Sequence, residues 1–376
     1  MKRLPFVFVF MLMALFNYAQ NKYLNTKTPY HSQQLLHTLP PKGYGPVFIN
    51  YVGRHGARFL TSACEDVYIA EVLQQAKQHQ GLTNLGLFVL EQLQRFDSVE
   101  KSNYGNITLL GASEQHDISE RLQKAYRPVF SNARLLVETT DKVRTQQSAK
   151  AFLSGLKGYD SNVTQFLVFP HESDSLLQFY DLSKEYGAYA SGAIVNGHID
   201  SLKNNTRTNQ LADEVGKKMF TNAFVKQIMA GDIRAKQKGK EEVVSKVDFT
   251  SQLYNLYCIL FSFQKEMQLG HKQFENPLRK AFSNDHLSWL ERIISAADFY
   301  KKGPGEDNLG IPVTIAAPLL RDIITTTDSM IAHKKFNVIL RFTHAEAISP
   351  LATLMGISAA TKESLSVFSF STNWKA

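Results

Sequence analysis

The sequence predicts an α/β fold: a mostly parallel sheet flanked by helices, with a mainly helical cap domain inserted into it. Three observations lead there. Apolar, β-branched runs alternate with helical patterns, as strands joined by helical crossovers do. Three of those runs end in a charged turn that opens a helix. From Leu176 to about Ala297 the pattern is almost all helical, broken only by Asn, Lys and Gly loops.

The first strand enters through Val47-Phe48-Ile49-Asn50-Tyr51-Val52 and ends at Arg54-His55-Gly56-Ala57-Arg58, with a helix beginning near Cys64. Leu85 to Phe96 carries apolar residues at helical spacing. Ser113 is the predicted N-cap of a helix from Glu114 to Phe130. A second strand spans Ala133 to Thr140, and a helix opens in Asp141 to Leu153, so Arg144 falls just past a strand end. Val163 to Phe169 is a short apolar strand closed by Pro170. Gly303-Pro304-Gly305 ends the helical block. A helix follows from Ala317 to about His333, then the strand Asn337 to Phe342, and Thr343-His344-Ala345-Glu346 opens the last helix. The expected organisation is a signal peptide over 1–19, the first part of the α/β domain over 20–170, the helical cap over 171–303 and the second α/β part over 304–376. No internal repeat occurs.

A chain of 376 residues can bury a large core without staples. The net charge of +8 suits an anionic ligand but does not choose between phosphate esters, nucleic acid and a membrane surface. No Lys/Arg block resembles a nucleic-acid arm. The densest run, Arg234 to Lys246, is interrupted by Glu241 and Glu242 and reads as a solvated loop or helix face. At the N-terminus, Lys2 and Arg3 precede the apolar run Leu4 to Phe16, and Ala19 follows. That is the pattern of a secretory signal peptide cut after Ala19, too short to span a bilayer. An exported protein, periplasmic or secreted and without a stable membrane anchor, is expected. The two cysteines, Cys64 and Cys258, could pair in such a protein. Cys258 lies in the apolar stretch Leu253 to Phe261 and reads equally well as a buried, unpaired thiol.

An isolated Arg-His-Gly is as readily a basic surface turn as a site. Here three strand ends carry Arg54, His55 and Arg58, then Arg144, then His344 and Glu346. Open α/β sheets bind ligands at the carboxyl ends of their strands. Guanidinium groups match phosphate oxygens with paired hydrogen bonds, and Gly56 lets the backbone come close to an anion. A neutral His55 can attack phosphorus, and nearby arginines disfavour its protonated form. The departing alkoxide needs a proton, which Glu346 can give before it activates water. With arginines neutralising the phosphate, the chemistry needs neither metal nor cofactor. A non-catalytic binder of a polyphosphorylated ligand would need neither nucleophile nor acid. A metallohydrolase using His344 and Glu346 lacks any His-Glu-x-x-His or comparable cluster.

The stretch Arg54-His55-Gly56-Ala57-Arg58 resembles the signature of the histidine acid phosphatases. Most of their branches carry a later His-Asp; His344-Ala345-Glu346 resembles the multiple inositol polyphosphate phosphatases, the His-Ala-Glu phytases. The similarity runs through Leu109 to Leu122, Glu138 to Leu156, Ala317 to Asp322 and Asn337 to Ile357. The resemblance implies a phosphoglycerate-mutase-like fold. It implies His55 as nucleophile, Arg54, Arg58, Arg144 and His344 as ligands of the scissile phosphate, and Glu346 as proton donor. It further implies phytate and lower inositol phosphates as substrates, with smaller sugar phosphates or bisphosphoglycerate as runner-up, and the protein is expected to be a monomer. The sequence departs from the pattern twice. Leu60 stands where many relatives have proline, so a slightly altered turn is expected. The chain stops at Asn373-Trp374-Lys375-Ala376, where relatives usually continue, which predicts a truncated end and an exposed sheet edge.

Overall fold

The structure is a computed structural model that describes residues 23–30, 40–63, 65–230, 232, 234–237, 240–243, 245–267, 276–306 and 310–357. The expected signal peptide, Cys64 and the last residues, 373–376, lie outside them. Among the described residues no helix is long and apolar enough to cross a membrane.

Four strands, β1 (Ile49–Arg54), β2 (Leu135–Thr140), β3 (Gln165–Phe169) and β6 (Val338–Thr343), form a wholly parallel sheet in the order β1-β6-β2-β3. The last of these strands in chain order, β6, thus sits between the first two. Its register sets Arg54 opposite Thr343 and Thr139 opposite Phe342, so the ends of β1, β6 and β2 lie level. Each strand alternates. Leu135, Val137, Val338, Leu340 and Phe342 pack on one face, with Val129 and Phe152. The helices there are α3 (Leu109–Ala125) and α4 (Val143–Ser154). The other face meets α8 (Ala317–His333) and α9 (Ala345–Leu354), through Val52, Leu319, Ala347 and Leu351. The helix over Ala317–His333 has the predicted bounds. Among the described residues β1 and β3 are the edge strands of this sheet, and Phe166, Leu167 and Val168 of β3 are exposed.

A separate apolar cluster joins α1 (Glu65–Gln78) and α2 (Asn84–Glu100) to α5 (Thr206–Met219), α6 (Lys246–Leu260) and α7 (Asn284–Lys302). Caps mark where these helices start. Thr83, Ser245 and Ser283 each accept a bond from a backbone N–H of the first turn. Cys258 is buried in α6 and accepts a hydrogen bond from Asn25 Nδ2 at 3.5 Å.

Two expectations need correction. The helix expected from Glu114 starts at Leu109 and is capped by Thr108, not Ser113, because the Thr108 hydroxyl accepts from Gly111 N. It ends at Ala125, and Pro128, which has no N–H to give, opens a separate short helix, Arg127–Phe130. The run from Arg234 is neither loop nor helix face. It forms an antiparallel hairpin of β4 (Arg234–Gln237) and β5 (Lys240–Val243). Ala235 docks that hairpin into the apolar cluster, and Gln75 Nε2 donates to Arg234 O at 2.5 Å.

The central strand carries a charge. Arg341 is 1% exposed, and its guanidinium bonds Glu138 on β2, Asn50 on β1 and Asp322 on α8, each at 2.6 Å. Asn50 Nδ2 continues the network to Ile323 O at 3.2 Å. Removing one member of a buried ion pair leaves the others uncompensated. Arg341→Ala is therefore expected to lower unfolding free energy by about 3–5 kcal/mol. Urea denaturation measures it; a change below about 1 kcal/mol, the range of ordinary surface substitutions, would contradict the role assigned to the network.

Candidate active site

The turn after β1 is tied down residue by residue. His55 N–H donates to Thr343 O at 3.0 Å, which extends the β1–β6 ladder by one residue. Gly56 N–H donates to Ser148 Oγ at 2.9 Å, and Ser148 Oγ donates to Arg144 O at 2.6 Å, which joins the turn to the first turns of α4. Ala57 N–H donates to Glu114 Oε2 at 3.2 Å, and Thr108 N–H donates to Ala57 O at 2.9 Å. Gly56 lines the cleft, and its missing side chain also admits the start of α3: a Cβ there would lie 2.5 Å from Gly111 O. Leu60 also uses what a proline would lack: its N–H donates to Glu100 Oε1 at 2.7 Å.

His55 is 8% exposed, with Nδ1 2.9 Å from Gly56 O. A carbonyl only accepts, so Nδ1 carries the proton and Nε2 keeps its lone pair. Burial, then the charges of Arg54, His344 and Arg58, push its pKa well below the ordinary histidine value. His344 follows β6 and is 3% exposed. Its ring centroid lies 5.3 Å from that of His55, and its Nε2 is 3.2 Å from Thr140 Oγ1. Burial first, then Arg144, lower it to about 3.

The arginines come from separate elements. Arg54 Nη1 donates to Thr26 O at 3.0 Å, and Arg58 Nη1 donates to Phe59 O at 2.7 Å. Arg144 stands in the first turn of α4, where burial lowers its pKa. Buried polar atoms here with no partner among the described residues include three nitrogens, Arg54 Nε, Arg144 Nε and His344 Nδ1, and one acceptor in the cleft wall, Gln115 Oε1. Such atoms are rare unless a ligand is to take them up.

Glu346 lies in the first turn of α9, with Oε1 3.1 Å from Lys302 Nζ. Its side chain keeps 41% of its surface open although protein surrounds the carboxyl closely. Burial pushes the carboxyl up, but Lys302, its own backbone N–H and Arg54 outweigh that and bring it down to about 2. A cleft of about 310 Å³ opens beside Arg54, His55 and Arg58, with Lys27, Glu114 and Gln115 in its wall. Arg144, His344 and Glu346 stand outside that wall, joined to it by the His55–His344 contact and by mutual electrostatic influence.

All six residues singled out in the sequence therefore gather at the level ends of β1, β2 and β6. The sequence reading missed Lys27, Thr140 and Lys302. Lys27 lines the cleft, and burial lowers its pKa. None has a local signal, because each meets the site from far along the chain; only the position of Thr140 at the end of a predicted strand pointed there. Among the described residues one group of three possible metal ligands occurs, His116, Asp117 and Glu120 on α3, away from this site.

Comparison with known proteins bears on the family and the fold. Residues 47–376 match the model of the histidine phosphatase superfamily (branch 2). The chain is 23% identical over 283 residues to multiple inositol polyphosphate phosphatase 1 of Homo sapiens, covering 71% of this chain and 52% of that relative, about half its length. Its fold is similar to the multiple inositol polyphosphate phosphatase of Bifidobacterium longum in complex with inositol hexasulfate. The TM-score is 0.79 at 21% identity, covering 90% of this chain and 82% of that one. It is similar, less closely, to the phytase from D. castellii, with a TM-score of 0.58 at 15% identity, covering 93% of this chain and 70% of that one. With a match over most of its length, the chain belongs to the histidine phosphatase superfamily, branch 2.

Proposed function

We propose that this chain is an exported phosphomonoesterase that removes phosphates from inositol polyphosphates through a phosphohistidine at His55. The observation that carries the reading is the set of partnerless buried donors, Arg54 Nε, Arg144 Nε and His344 Nδ1, gathered around a neutral imidazole. The scissile phosphate takes up these donors together with Arg58. Nε2 of His344 meets Thr140 Oγ1 at 3.2 Å, which leaves Nδ1 of that ring to face the phosphate. The arginines then stabilise the charge that spreads over the equatorial oxygens as the phosphoryl group moves.

The reaction runs in two displacements. Nε2 of His55 bonds to phosphorus, the bond from phosphorus to the alcohol oxygen breaks, and Glu346 gives that oxygen its proton. Water then bonds to phosphorus as the P–N bond breaks, and its proton returns to Glu346. Ester and water thus become alcohol and phosphate, with both side chains restored. Polyphosphorylated substrate is favoured over small esters by the basic character of the cleft, where Lys27 adds to the arginines. It is also the class named for the similar proteins.

Phosphate release from inositol hexakisphosphate, measured beside a simple monoester over a range of salt, tests the reading. KM for the hexakisphosphate should rise more steeply with salt, since more charges are screened. Arg144→Ala should lower kcat/KM about 10²–10³-fold on both, the scale of one lost charge-stabilising donor. Equal salt dependence would point to small sugar phosphates or bisphosphoglycerate. No release from either would leave a phosphate binder.

The neutral histidines have a second consequence. The unfolded chain protonates His55 and His344 below about pH 6.5, but the folded chain does not. Stability should therefore fall as pH drops from about 7 toward 5. Thermal unfolding of the double variant His55→Asn, His344→Asn should show a shallower fall than wild type; an identical pH dependence would mean that these rings titrate normally in the fold.

A further inference from the structure

Lys302 is the last residue of α7 and is only 15% exposed. Its Nζ lies 3.0 Å from Asp298 Oδ1, one turn back on the same helix, and 3.1 Å from Glu346 Oε1 on α9. The pair with Asp298 would by itself neutralise the lysine at its helix end. The second bond joins the helical body to the carboxyl read above as the acid. Asp298 and Glu346 outweigh burial and hold Lys302 protonated. In return Glu346 is held as carboxylate, with no proton to give.

The other groups that face this carboxyl come from every element around it. Arg54 from β1, Arg144 from α4 and its own backbone N–H in α9 favour the charge. Asp181 and Tyr180, from the short helix Phe179–Leu182, and Tyr186, from the helix Lys184–Ala190, feel the same carboxyl, and Asp181 opposes its charge. His344 is neutral beside it. The arginines are the groups that an arriving phosphate neutralises. Among the described residues, Lys302 is the cation bonded directly to Glu346.

We propose that Lys302 is a positioning residue for Glu346: it clamps the carboxylate before substrate binds, and an anionic group of the substrate draws its ammonium away, so that Glu346 takes a proton from solvent. The inference rests on the reading of Glu346 as the acid. It explains how a group charged before binding becomes a donor only when a leaving group is present. It also gives substrates with a second anionic group an advantage in the chemical step, because a simple monoester leaves the clamp closed.

Carboxyl-carbon NMR titration of Glu346, assigned by the signal lost in Glu346→Gln, tests the clamp without turnover. In Lys302→Met the midpoint should rise by about 1–3 pH units, the usual effect of an adjacent opposite charge. In Lys302→Arg it should stay near the wild-type value. Should Lys302→Met fail to fold, saturating wild type with inert inositol hexasulfate gives the same test, and the midpoint should again rise. The alkaline limb of kcat/KM on an alkyl monoester should move up in Lys302→Met alongside the titration. An unchanged midpoint in the variant, or with hexasulfate bound, would overturn the clamp. A raised midpoint in a chain that releases no phosphate would leave the clamp standing and overturn the phosphatase reading.

Discussion

A single buried guanidinium, that of Arg341, sets where the strands end. A charge in the middle of a central strand is tolerated only if it is fully bonded. Its partners come from both neighbouring strands and from α8, each at 2.6 Å. A slip of one residue would turn Arg341 to the apolar face of α3 and α4 and strand its partners on the other. The network therefore selects one register, and that register brings Arg54, Thr343 and Thr140 level. The site is a consequence of that alignment: His55 continues one ladder, His344 stands just before the helix after the next, and Arg144 opens the helix after the third.

The same alignment concentrates positive charge, and repulsion among the arginines works against the fold. Backbone acceptors, Thr26 O for Arg54 and Phe59 O for Arg58, help to fix the two side chains. Burial first, and then the field of these arginines, keeps His55 and His344 neutral. One electrostatic arrangement thus prepares both the anion site and the nucleophile.

Much of this was legible in the sequence because strand and helix periods are local. The four strands, the helix Ala317–His333 and the six site residues could be read from runs and the turns that end them. What escaped is non-local. Ser113 looked like a cap, yet Thr108 won because the start of α3 packs against the glycine of the signature turn. The charges between Arg234 and Lys246 suggested solvent, but burial of Ala235 decided for a hairpin. Arg341 lay inside a predicted strand, and nothing near it announced three partners. Lys302 reaches Glu346 across 44 residues, a pairing that only the packing of α7 on α9 creates.

The central claim is that His55 carries the phosphoryl group between the two displacements. Rapid acid-free quenching of the chain with phosphate-labelled inositol hexakisphosphate, followed by peptide mapping, tests it directly. The account predicts an acid-labile, base-stable phosphoenzyme with the label on Nε2 of His55, and no label in His55→Ala. Label on another residue, or turnover of His55→Ala at the wild-type rate, would contradict it.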